Sequence, residues 1–387
     1  MAVELRKLIK KATHMDISQI TGFDKMDSPV SWVQMVECQR AADFLEGGEF
    51  VMITGSGLGG KEPLLSVIQA VYEKNAAAVL VNIGPFIGNI PEEVLDFCRQ
   101  KDFPLFTVPW KVHLSDLMQI FCYEITKDEQ KDKETAQAFE NAIFFPKEEE
   151  LYVIPLSLQG FQAEWRYSVC MICLQNSSGK MEDRLKQITM DLKIFARSRY
   201  TRFAVFTHNS EILAIAADYT EDEMREFAKD IRNCARNCLL PKETITAGCG
   251  CLTKSIRCLY KSYHQADSIQ KLQAKGRIDP SRIFYSDMGL FQVLMDVDDQ
   301  DVIQRYYDRT LSPLKQYDEK NNTNLSLVLR TYLEHDGSVK DTAAVLYTHR
   351  NTINYKLSRI SEILGRDLSS LNTRLELTVG YLLEDMM

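Results

Sequence analysis

Three short apolar runs constrain the first third of this chain more than any other feature: Phe50-Val-Met-Ile-Thr54, Ala78-Val-Leu-Val-Asn-Ile83 and Pro104-Leu-Phe-Thr-Val-Pro109. Their length and flanking turn residues read as buried strands rather than helices. Between them lie two segments with helical apolar spacing. Leu64 to Tyr72 is opened by Pro63, and Pro91-Glu-Glu-Val-Leu-Asp-Phe-Cys98 has proline and acids in its first turn, where the helix dipole favours them. Strand, helix, strand, helix, strand predicts a parallel α/β sheet. An amphipathic helix at the N-terminus and an alternating strand over Val30 to Val36 precede it.

The chain has 387 residues, enough for two to four domains. Hydrophobic residues make up 45% and charged residues 26%, an ordinary soluble composition with material for cores. A net charge of -8 excludes a basic, histone-like protein but not a local basic face. No segment approaches the roughly 20 apolar residues needed to cross a bilayer, and the N-terminus lacks a signal peptide's apolar core, so a cytoplasmic protein without a membrane partner is expected. The ten cysteines then read as free thiols. Cys170 and Cys173 lie in an apolar run read as a strand, where positions three apart face opposite ways. Cys234 and Cys238 could share a helix face, but a zinc site needs four converging ligands, so neither a metal nor a cofactor is expected.

A long helical pattern runs from about Ser115 to Phe144, its second half highly charged and without a sustained heptad. Beyond it, Leu151 to Ile154, Tyr167 to Leu174, Ala204 to Thr207 and Glu211 to Ala216 read as strands. Met181 to Tyr200 and Glu221 to Cys238 read as helices, together suggesting an α+β layer sandwich. Asp287 to Leu294 and Gln300 to Thr310 form a helical connector, followed by the polar break Asn321 to Asn324.

Gly55-Ser-Gly-Leu-Gly-Gly60-Lys61 follows a strand and precedes a helix, and satisfies both Gly-x-x-x-x-Gly-Lys and Gly-x-Gly-x-x-Gly. Such a loop can present backbone N–H groups to phosphate. A nucleotidase loop, however, needs Ser or Thr after its lysine, and Glu62 stands there; after the second strand, Asn82 and Gly84 replace the acid of a dinucleotide fold. The expected role is a tight turn that lines a small-ligand pocket, with Thr54, Gly55, Ser56, Gly57 and Lys61 as candidate contacts. A nucleotide-binding enzyme using Gly55 to Lys61 is the competing reading.

The C-terminal segment carries the sharpest pattern. Leu325 to Glu334 is amphipathic, Ser338 can cap a short helix over Val339 to Leu346, Tyr347 makes a turn, and Thr348 can cap a longer helix from His349 to Leu364, closed by Gly365. Ile353, Leu357, Ile360 and Leu364 recur at helical spacing and face inward, which leaves His349, Arg350, Asn351, Asn354, Lys356 and Arg359 outward. From Thr342 to Ser361 there are three Lys or Arg and no acid, in a chain that is acidic overall. A short helix, a turn and a longer basic helix form the helix-turn-helix pattern; Arg can fork onto guanine and Asn onto adenine, while Lys and Thr hold phosphates. A helical hairpin with a solvated charged face is the structural alternative.

Thr342-Ala-Ala-Val-Leu-Tyr-Thr-His-Arg-Asn-Thr-Ile-Asn-Tyr-Lys-Leu-Ser-Arg-Ile360 resembles the signature of PucR-type bacterial regulators, departing at Lys356, where that family usually has Arg. Gly47 to Gly55 and Phe103 to Trp110 resemble the family's N-terminal sensor domain. Thr246-Ala-Gly248, Ser262-Tyr263, Ala266 and Ile283 to Leu290 resemble its middle domain, related to diguanylate cyclases. No Gly-Gly-Asp/Glu-Glu-Phe motif occurs, so the cyclising carboxylates are absent and catalysis is not implied.

The resemblance implies a multidomain chain. An α/β sensor domain would occupy residues 1–125 and a helical linker 126–145. A degenerate GGDEF-like α+β domain would fill 146–290, a helical connector 291–320, and an all-α helix-turn-helix domain 321–387. Expected partners are double-stranded DNA, a small effector with a purine or related nitrogen compound as first guess, and a second copy of the chain. The expected DNA contacts are Thr348, His349, Arg350, Asn351, Thr352, Asn354, Tyr355, Lys356 and Arg359.

Overall fold

The computed structural model describes residues 3–58, 63–177, 179–295, 297 and 299–386. In chain order its elements are β1 (Val3–Glu4), α1 (Leu5–Lys11), β2 (Ser18–Thr21), β3 (Pro29–Val30), β4 (Trp32–Met35), β5 (Glu49–Ile53), α2 (Leu64–Glu73), β6 (Ala78–Ile83), α3 (Glu92–Gln100), β7 (Leu105–Pro109) and α4 (Leu114–Phe144). Next come α5 (Val153–Leu158), β8 (Tyr167–Gln175), α6 (Met181–Arg199), β9 (Phe203–His208), β10 (Glu211–Ala217), α7 (Glu221–Asn237), β11 (Thr244–Cys249) and α8 (Leu259–Ala274). Helices complete the chain: α9 (Leu290–Met295), α10 (Gln300–Thr310), α11 (Ser312–Asn321), α12 (Leu325–Glu334), α13 (Val339–Val345), α14 (Arg350–Leu364) and α15 (Leu371–Met386). Two compact units form, one of residues 1–165, 179–208 and 233–239, the other of residues 166–178, 209–232 and 240–387.

In the first unit, β4, β5, β6 and β7 lie side by side and parallel, with β2 antiparallel at the β7 edge. The mixed α/β architecture is that read from the three apolar runs. Strand alternation divides the core. Phe50, Met52, Ala78, Leu80, Phe106 and Val108 pack with Leu5 and Leu8 of α1 and with Leu117 and Phe121 of α4. Val51, Ile53, Val79, Val81 and Leu105 pack on the other face with Val67, Ile68 and Val71 of α2 and Val94 of α3. Both faces of the central strands are covered, which is why these runs contain almost no polar residue. Farther along, Phe139 of α4 meets Phe161 edge-on and stacks with Phe206.

One expected strand is absent. Leu151 to Ile154 instead ends a short 3-10 turn and opens α5. Tyr152 is fully buried and its hydroxyl donates to the Pro146 carbonyl, so the apolar run follows a packed helical turn.

In the second unit, β8 pairs antiparallel with both β10 and β11, and α8 covers it. Gly248 and Gly250 abut the Ala266 and Ser262 carbonyls of α8, where any side chain would collide. The helices from α10 to α15 enclose a separate core of Leu311, Leu314, Val328, Leu329, Ile353, Ile360 and Leu377. The far end of α15 adds Leu382 and Met386 to a cluster with Ile269 and Leu272 of α8. Among the described residues, no helix is long and apolar enough to cross a membrane.

Candidate functional site

A buried carboxylate supports the start of α12. Asp318 of α11 accepts hydrogen bonds from the Thr323 hydroxyl at 2.6 Å, the Leu325 and Ser326 amides at 2.8 Å, and the Ser326 hydroxyl at 2.6 Å. It therefore caps α12, whose own first residue makes no side-chain cap. Burial alone would raise its pKa, but the bonds from Ser326 and Thr323 outweigh burial and hold it below the usual carboxylate range. Arg330 of α12 then clamps Asp385 of α15 through two bonds of 3.0 and 2.8 Å.

On this support, α13 and α14 form the helix-turn-helix. Ser338 caps α13 by accepting from the Asp341 amide. The turn places Tyr347 at φ 50, a left-handed conformation, with its ring 97% exposed. The cap of α14 differs from the expected one. Thr348 donates its hydroxyl to the Leu346 carbonyl within the turn, and His349 Nδ1 accepts from the Asn351 amide at 3.2 Å. The helix consequently begins at Arg350, one residue later than its pattern predicts. Thr348 is spent on closing the turn, and the ring next to it reaches the orphan amide.

Ile353, Leu357 and Ile360 are buried in the helical core, and Leu364 packs against it. Arg350, Asn351, Thr352, Asn354, Tyr355 and Arg359 are exposed, Tyr355 at 72%. The expected outer residues divide into two groups. Lys356 is half-buried, and its ammonium donates to Asn324 Oδ1 at 3.0 Å. Arg359 bonds Glu362 at 2.6 Å, reaches the Tyr317 hydroxyl at 3.4 Å and lies over the Tyr317 ring at 5.4 Å. These two cations border α11 and the start of α12. Arg350, Asn351, Asn354 and Tyr355 are exposed in the N-terminal half of the helix.

At the other end of the chain, the described part of the glycine loop, up to Leu58, has its first amides already occupied. The Glu37 carboxylate accepts from the Thr54 amide at 2.8 Å, the Gly55 amide at 3.0 Å and the Gly57 amide at 3.3 Å. Thr54 and Ser56 bond each other through their hydroxyls at 3.0 Å, and the Ser56 amide donates to Thr54 Oγ1. Gly55 sits at φ 83, and a Cβ there would come within 2.6 Å of Ile87, so the loop packs tightly against the turn after β6. Three of the amides that could face a phosphate thus hold an internal carboxylate instead. Lys61, the remaining expected contact, lies outside the described residues, as do Gly60 and Glu62. Glu37 escaped sequence reasoning because it lies 17 residues before Thr54 and on another strand's end.

Asn82 is a second group with no pattern to announce it. It is 3% exposed near the end of β6, and its side-chain oxygen has no hydrogen-bond partner among the described residues. An unmet acceptor of this kind costs roughly 1–3 kcal/mol. Among the described residues, no cluster of three or more His, Cys, Asp or Glu is placed to hold a metal ion.

Residues 7–125 match the purine catabolism regulatory protein-like family, and residues 325–383 match the PucR C-terminal helix-turn-helix domain. Among curated relatives, the DNA-binding transcriptional activator AdeR of Bacillus subtilis is 25% identical over 230 residues, 59% of this chain and 54% of that protein. The proline-responsive transcriptional activator PutR of the same organism is 24% identical over 304 residues, 76% of this chain and 70% of that protein. Its purine catabolism regulatory protein is 30% identical over 94 residues, 24% of this chain and 17% of that protein. The aligned region thus spans about half of the first of these relatives. The chain thus carries a region similar to the PucR family's own domain near one end and a region similar to that family's helix-turn-helix domain near the other.

Proposed function

We propose that this chain is an effector-responsive transcription regulator that reads double-stranded DNA with the N-terminal half of α14. The observation that carries this reading is the division of α14 into two faces. Ile353, Leu357 and Ile360 anchor the helix in the core, while Arg350, Asn351, Asn354 and Tyr355 are exposed. No acid falls between Thr342 and Ser361 to repel phosphate. Arg350 and Asn351 are the side chains with the geometry for bidentate base recognition, and Asn354 and Tyr355 extend the same face. Thr348, His349 and Thr352, near the start of the helix, fit phosphate contacts, where helix N-termini favour anions. Lys356 and Arg359, held by Asn324, Glu362 and Tyr317, supply charge toward the backbone rather than base readout.

The regulator acts in the cytoplasm as a homodimer, because one recognition helix covers only a few base pairs and two half-sites give a usable site. Residues 1–125 sense the effector, residues 146–290 form a diguanylate-cyclase-like relay without catalysis, and residues 321–387 bind DNA, with helical segments between. The names of the relatives differ in the compound they point to, one to proline and one to purine catabolism. A nitrogen compound remains the natural class of effector. Fluorescence anisotropy of the full chain against promoter fragments, at rising salt, tests the reading. Affinity that falls steeply and linearly in log salt is expected. Failure to bind any fragment in dilute buffer would overturn it.

A further inference from the structure

We propose that the carboxyl edge of the N-terminal sheet is the effector site, and that it takes a small planar compound through that compound's N–H groups rather than an anion. This rests on the reading of residues 1–125 as a sensor. The strand ladder puts the relevant residues in one row. Met35 pairs with Met52, Ile53 with Val81, and Asn82 with Val108. One or two steps further, Glu37, Thr54 and Asn82 are level across three adjacent parallel strands. Alternation places Thr54 and Asn82 on the sheet face that carries Met52 and Leu80. The ends of parallel strands are where open α/β sheets bind ligands.

The chemistry of the row is that of acceptors. The loop amides of Thr54, Gly55 and Gly57 are consumed by Glu37. The Asn82 side-chain oxygen is buried and unmet among the described residues. Glu37 retains lone-pair capacity beyond the three bonds it accepts. A phosphate or carboxylate ligand would meet the Glu37 carboxylate, whereas an N–H edge would satisfy Asn82.

An aromatic pair stands at the same edge. Trp110 lies against Gly84, where a Cβ would come within 2.7 Å of its ring, two residues beyond Asn82. Phe86 meets Trp110 edge-on with centroids 5.7 Å apart, and the two are 57% and 46% exposed. The turn bearing Phe86 packs on Gly55, which joins the aromatic pair to the described start of the glycine loop. Exposed ring faces next to an unmet acceptor select a flat, N–H-bearing molecule.

Thermal unfolding of the full chain tests this, with adenine, nicotinamide and benzamidine as planar N–H donors, glycine and proline as ammonium donors, and ATP and citrate as anions. At least one planar donor should raise the midpoint by several degrees, while ATP and citrate leave it unchanged. Asn82→Leu should abolish the shift while keeping or raising the unliganded midpoint. Trp110→Ala, at a half-exposed position, should weaken binding at least tenfold and carries the test if Asn82→Leu does not fold. Stabilisation by only the ammonium donors or the anions, by none of the planar donors, or equally in both variants would overturn the proposal. DNA affinity is measured separately, so a chain that bound a planar donor at Asn82 but ignored DNA would refute the regulator reading and leave this site standing.

Discussion

Removing the Asp318 carboxylate should loosen α12 first. Asp318→Ala takes the acceptor from the Leu325 and Ser326 amides and from the Ser326 hydroxyl, all three buried or half-buried, while the exposed Thr323 hydroxyl can turn to water. At about 1 kcal/mol for each of the three, the loss is about 3 kcal/mol, or roughly a hundredfold in the opening equilibrium. Asp318→Asn keeps one accepting oxygen and should lose about half as much. Hydrogen exchange followed by mass spectrometry reads this directly, because the Leu325 and Ser326 amides should exchange roughly a hundred times faster in Asp318→Ala under conditions where exchange follows local opening. An acceleration below about threefold would show that the four short contacts do not hold the start of α12, and the argument for Asp318 as its cap would be wrong.

Acid should act on the same group. A carboxyl whose folded pKa lies below its unfolded value contributes stability that is fully present above about pH 3.9 and is lost as pH falls through the lower, folded value. The helical domain of Asp318→Ala should therefore lose less stability than the parent between about pH 4 and pH 2, as followed by circular dichroism; equal losses would contradict the assignment. Arg330→Ala leaves Asp385, 3% exposed, with the 3.3 Å approach of Arg277 as its remaining cation among the described residues, and should cost about 3 kcal/mol in denaturant unfolding of the C-terminal helices. A loss under about 1 kcal/mol would mean that water reaches Asp385 readily. Tyr347→Gly relieves a left-handed φ of 50 and removes no packing from a ring 97% exposed, so the melting temperature should hold or rise by a few degrees; a clear fall would show that the ring supports the turn.

The parallel sheet and α14 were legible because each depends on local periodicity. The runs at Phe50, Ala78 and Leu105 are buried on both faces, so their apolar character is continuous and their strand identity follows. The inward stripe of Ile353, Leu357 and Ile360 fixes which side of α14 faces outward. Leu151 to Ile154 misled because four apolar residues with a buried tyrosine satisfy strand and helix alike. Three features depend on distant partners and left no local trace. Asp318 caps a helix from seven residues upstream of its first amide, Glu37 fills a loop from another strand, and Lys356 is held by Asn324 from outside its own helix. The cap of α14 fell to His349 because the more obvious Thr348 hydroxyl was already bonded to Leu346.

Selection of genomic fragments by the full chain, run side by side with an Arg350→Ala/Asn351→Ala double variant, tests the regulator reading most directly. The parent should enrich a short sequence repeated at a spacing of about 10 base pairs or a multiple of it. The double variant should lose that preference, with specific affinity down by about 2–6 kcal/mol in total while weak, salt-dependent binding survives. Enrichment of the same fragments by both proteins, or of none by the parent, would mean that the exposed face of α14 does not read DNA.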